Sequence, residues 1–113
     1  MIHAKITRSR SNKDILGFEM SGHANFAEHG QDLVCAGASA VAFGAVNAVM
    51  KLTGIEPVID LGEDGGFLSF GFPDGTDREA FEKAQLLLEG MIVSLETIER
   101  DYKGYLKVTT NRI

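Results

Sequence analysis

Apolar residues recur at every second position early in the chain and at helical spacing later, and this change of period commits the chain to a set order of strands and helices. Ile2, Ala4 and Ile6 alternate with His3, Lys5 and Thr7, as in a half-buried strand. Residues 8–14 form a polar connector. A second alternating run then puts Leu16, Phe18 and Met20 on one face and Gly17, Glu19 and Ser21 on the other. Two such runs joined by a polar loop predict an antiparallel hairpin. Residues 22–30 break both periods and read as a loop.

From Asp32 to Leu52 the sequence is helical, and Gly54 stands where a C-terminal cap is expected. Small residues crowd this helix, among them Ala36, Gly37, Ala40, Gly44 and Ala48, which predicts a helix buried on most sides. Residues 58–61 and 67–72 read as two further strands around the turn signal Gly62-Glu63-Asp64-Gly65-Gly66. Thr76 followed by Glu79 has capping-box spacing and opens a second helix. Ala84, Leu87, Leu88, Met91, Leu95 and Ile98 give that helix a long apolar stripe. Residues 105–110 supply a last strand. The expectation is an α+β single domain over residues 1–113, in the order β-β-α-β-β-α-β, with helices packed on a mainly antiparallel sheet.

A chain of 113 residues can build one core without staples. Eleven Lys and Arg against 16 Asp and Glu leave a net charge of −5, which would repel a phosphate backbone and favour a basic partner. A nucleic-acid module is therefore a poor fit. The single cysteine, Cys35, excludes an internal disulfide and a four-cysteine zinc site. The apolar-leaning run 36–50 contains Ser39 and Asn47 and is short for a bilayer span. With no secretion-like start, a cytoplasmic, reducing setting without membrane contact is expected.

The chemistry lies between Gly22 and Ser39. His23 ends the second strand, Cys35 begins a helix, and the loop between them could fold back to join the two side chains. A thiol attacks as its thiolate, and an imidazole can take and return the proton. A negative charge at a helix N-terminus gains about 0.3–1 kcal/mol, occasionally about 2, which at about 1.36 kcal/mol per unit lowers a thiol pKa by roughly one unit. An adjacent imidazolium supplies the larger effect. Asp32 could cap the helix, orient His23 or hold the loop. Ser39, one turn after Cys35, could hydrogen-bond within the site. First-turn backbone N–H groups could receive an oxyanion, and Gly22 and Gly30 would let the loop bend as a lid. His29 reads as an exposed loop residue, a spare base or a ligand. His23, His29 and Cys35 lack the compact pairing of metal ligands, so neither metal nor cofactor is expected. The plainest alternative is that Cys35 is a small buried hydrophobe.

Gly22-His23-Ala24, Gly30-Gln31-Asp32, Val34-Cys35-Ala36 and Ser39 together resemble the active-site signature of the ribosomal-processing cysteine protease family. The resemblance covers essentially the whole chain. It implies that Cys35 is the nucleophile, that His23 is its base and acid, and that Gly22, Gly30, Asp32 and Ser39 support them. It further implies removal of a short N-terminal extension, after an aromatic-rich segment, from the twenty-seventh large-subunit ribosomal protein. A loop over residues 24–31 that orders around the peptide, a homodimer and a role in ribosome assembly are implied as well. The competing reading is a non-catalytic ribosome-assembly factor that grips a peptide with the same loop.

Overall fold

Strands β1 (Ile2–Arg8) and β2 (Ile15–Ser21) pair antiparallel, with His3 opposite Ser21 and Thr7 opposite Gly17. The chain is described by a computed structural model over residues 1–28, 30–63 and 65–113. His29 and Asp64, one weighed above as a base or ligand and the other part of the turn signal, lie outside the described residues. After Thr7 and Gly17 the register slips, because Arg8 faces Ile15 and Leu16 is left over. The bulge turns Leu16 outward and puts Ile15 in the core, which corrects the alternation expected of this strand. A bulge leaves backbone groups in need of partners. The Gln85 side chain meets this need, accepting from the Ile15 N–H at 2.7 Å and donating to its carbonyl at 2.8 Å.

The sheet runs β3-β4-β2-β1-β5, with β3 (Val58–Asp60) and β4 (Phe67–Gly71) on one side of β2. These pairs are antiparallel, and β5 (Leu106–Arg112) lies parallel to β1, so the sheet is mixed. The last strand starts one residue later than expected. Tyr105 belongs to the turn before it, its N–H bonded to the Tyr102 carbonyl.

Helix α1 (Leu33–Thr53) is capped by Asp32 and closed by Gly54, whose φ of 76° is left-handed. Only one stripe of α1 is buried, formed by Val34, Ala38, Ala42, Val46 and Val49, whereas Ala36, Ala40, Gly44 and Asn47 are exposed. The helix is therefore not enclosed on most sides, since it meets neighbours along one flank. At 21 residues it is long and apolar enough, by those measures alone, to cross a bilayer, but its valine and alanine stripe is packed in the core. Gly37 faces Ile98 of helix α2 (Arg78–Asp101), where an added β-carbon would lie 3.9 Å from Cδ1.

The N-cap of α2 is Asp77, not Thr76. The Asp77 carboxylate accepts the Ala80 N–H at 3.1 Å, while the Thr76 hydroxyl is turned to the Pro73 carbonyl at 2.7 Å. The helix buries Ala84, Leu88, Met91, Ile92 and Leu95 with the inner faces of the sheet in one core. A two-bond pair from Arg8 to Glu89, at 2.7 and 2.8 Å, straps β1 to α2. This arrangement keeps the C-terminal end of β2 and the start of α1 at one edge of the molecule, where the loop between them closes.

Candidate active site

Asp32 organises the loop between β2 and α1. One carboxylate oxygen accepts the Cys35 N–H at 3.0 Å, and the other accepts the N–H groups of Phe26 at 2.8 Å and Ala27 at 3.2 Å. The residue is buried, with 8% of its surface exposed. Burial opposes its ionisation, but N–H groups of Cys35, Ala27, Phe26 and Val34 outweigh it and hold the carboxyl below the ordinary aspartate value. Of the roles open to it, capping and loop-holding are both present.

A second anchor is aromatic. Phe26 meets Tyr102 and Tyr105 edge to face, with ring centroids 5.6 and 5.1 Å away. Gln31 donates to the Glu28 carbonyl, and Gly30 in that turn has a φ of +87°. The loop thus reaches the end of α2 at one point and the start of α1 at another.

Cys35 sits in the first turn of α1 and is partly buried. The Ala24 N–H donates to its Sγ at 3.2 Å, a bond that bridges eleven positions in sequence. Ala24 is itself buried, so this donor is shielded from water. His23 precedes it and is exposed. His23, Asp32, Cys35 and Ser39 line a single cavity of about 650 Å³. The thiol and the imidazole thus lie on the wall of one cavity. Gly22 and Gly30 also lie on its wall, both with positive φ. For Gly22 a side chain is excluded by space too, since a β-carbon would stand 2.5 Å from the Met1 carbonyl oxygen.

Two of the expected oxyanion donors already have partners. The Asp32 carboxylate accepts the Cys35 N–H, and the Ala36 N–H bonds the Asp32 carbonyl at 3.0 Å. In this geometry the Cys35 and Ala36 amides are turned to the cap residue. Among the described residues, the Ala24 N–H is a main-chain donor that points at the sulfur.

Local spacing revealed only part of the cavity. Its far wall includes Phe43, two turns beyond Cys35 on the same helix, and Leu61 and Phe67 from either side of the β3–β4 turn. The helical spacing 35, 39, 43 could have shown Phe43. Nothing local marks Leu61, and Phe67 reads as an ordinary sheet-face residue. Among the described residues no three His, Cys, Asp or Glu side chains are grouped to hold a metal ion.

The family model for the cysteine protease Prp matches residues 1–107. The ribosomal processing cysteine protease Prp of Bacillus subtilis (strain 168) is 70% identical over 113 residues, covering all of both chains. Among solved structures, the essential ribosomal processing protease Prp from S. aureus with a covalently linked product peptide aligns with a TM-score of 0.86 and 40% identity. That alignment spans 98% of this chain and 100% of the other. The same S. aureus protease with a substrate peptide aligns at 0.81 and 38% over the same shares. By sequence along its full length and by fold, this chain belongs to the Prp family of cysteine proteases.

Proposed function

We propose that this chain removes a short N-terminal extension from the twenty-seventh large-subunit ribosomal protein, by acyl transfer through Cys35 and His23. The observation that carries this reading is the shared cavity of the two residues, with the Ala24 N–H on the sulfur. The B. subtilis relative is named as a ribosomal processing protease, and the S. aureus relative has been crystallised with substrate and product peptides.

In the proposed reaction His23 takes the Cys35 thiol proton, and the sulfur attacks the scissile carbonyl carbon. The C–N bond breaks as His23 returns the proton to the departing amine. Water, giving its proton to His23, then cleaves the thioester, and the thiol is restored. Activation falls to His23 and the Ala24 N–H, because the nearby Asp32 charge disfavours a thiolate and occupies the Cys35 amide. Phe43, Leu61 and Phe67 offer an apolar wall suited to an aromatic-rich segment. A net charge of −5 suits a basic ribosomal substrate. Ser39 and Asp32 are supporting residues, and the protein works as a cytoplasmic homodimer.

The deciding experiment incubates the extended ribosomal protein with the parent, Cys35→Ala and His23→Ala, and weighs the products. The parent should release one defined extension and Cys35→Ala none, with His23→Ala slower by about 10²–10⁴-fold. A parent that binds the extended protein without trimming it would favour the non-catalytic assembly factor.

A further inference from the structure

We propose that Gly66, in the turn between β3 and β4, is a positioning residue for His23. The inference rests on the reading of His23 as the base of the reaction. A β-carbon built on Gly66 would lie 2.8 Å from His23 Nε2 and 3.0 Å from Cε1. The imidazole therefore occupies the space that any other residue at this position would need for its side chain.

The register of the sheet delivers this contact. Ser21 of β2 faces Phe67 of β4, so the next residues outward, Gly22 and Gly66, come side by side. The Gly22 N–H donates to the Gly66 carbonyl at 2.9 Å. On its other flank Gly22 is wedged against the Met1 carbonyl, where a β-carbon would stand at 2.5 Å. The backbone before His23 is thus gripped from two directions, and the ring is backed by a bare Cα. The Gly66 backbone bounds one edge of the ring, and both residues line the cavity shared with Cys35. Gly66 of the turn thus meets the loop histidine, 43 positions away in sequence.

The test compares kcat, KM and pH profiles for peptide cleavage by Gly66→Ala, Gly66→Asn and Gly65→Ala. Gly65 and Gly66 have φ of +76° and +68°, so both alanine variants carry the same left-handed strain. Only at Gly66 does the methyl meet the ring, since no described atom beyond its neighbours lies within 4 Å at Gly65. Asparagine tolerates this backbone region and keeps the clash, which separates ring displacement from backbone strain. Gly66→Ala and Gly66→Asn should each lose about 10²-fold in kcat with KM close to the parent's. The rising limb of their pH profiles should move away from the parent's. Gly65→Ala should keep the parent's limb while its Tm falls as far as that of Gly66→Ala. A folded Gly66→Asn with the parent's kcat and limb would overturn the inference, as would a Gly65→Ala that matches Gly66→Ala in both. His23→Ala, run alongside, separates the two failures, because parent-like cleavage by that variant sinks the base assignment itself.

Discussion

Asp32 and Cys35 are joined by a 3.0 Å hydrogen bond from the cysteine amide to the aspartate carboxylate, so the helix cap and the sulfur-bearing residue share one geometry. The second oxygen of the same carboxylate holds the loop at Phe26 and Ala27. Helix start, loop and sulfur are therefore set by one side chain. Asp32→Ala should release all three amides and slow cleavage by about 10²-fold, the scale of an ångström's misplacement of reacting groups. Proteolytic nicking within residues 24–31 should quicken in parallel. Asp32→Asn keeps one acceptor oxygen and should fall between. Unchanged cleavage and unchanged nicking in the alanine variant would show that the loop is held by something else.

The same carboxylate sets an acid limit. Its pKa is lower in the folded chain than in the unfolded one, where an aspartate titrates near about 3.9. The stabilisation is therefore complete above that value and is lost as pH falls through the lower, folded one. Glu89 behaves alike, held down chiefly by its hydrogen bond from Arg8. The Phe26 and Ala27 amides should stay protected from hydrogen exchange at pH 5 and lose that protection only in stronger acid. Loss of protection already between pH 6 and 5 would contradict the assignment.

Phe26 touches the body of the protein through two edge-to-face contacts, each worth about 0.5–1.5 kcal/mol beyond the buried area. Phe26→Ala should lower stability by roughly 1–2 kcal/mol in urea unfolding. It should also raise KM more than it lowers kcat, because the aspartate anchor remains beside the sulfur. A fall in kcat with KM unchanged would place Phe26 nearer the chemistry than its geometry suggests.

Gln85 satisfies both backbone groups of Ile15 at the bulge. Gln85→Met keeps the bulk and removes both bonds, and each group left unmet in a shielded place costs about 1–3 kcal/mol. Urea unfolding should show a loss of about 2–6 kcal/mol for the two groups, with activity of the remaining folded protein preserved. A neutral result would mean that water reaches the bulge.

The order of elements was legible in the sequence because it depends on local period, and period is written in consecutive residues. The alternation in β1, the Asp32 start and Gly54 stop of α1, and the stripe of α2 all appear where the sequence puts them. Leu16 was misplaced because a bulge costs no change in composition; its partners, Arg8 and Gln85, lie elsewhere in the chain. The α2 cap was misread because Thr76 and Asp77 are both good caps, and the Pro73 carbonyl decides which is free.

Residues 22–39 carried the thiol, the imidazole and the acid within one stretch, so these could be read directly. What faces them could not. The Phe26 contacts with Tyr102 and Tyr105, the apolar wall from Leu61 and Phe67, and the bare Cα of Gly66 behind His23 come from distant parts of the chain. Sequence determines the period of each segment and the chemistry that it bears. Tertiary structure decides which segments meet, because strand register and helix packing are settled by burying all the apolar faces at once.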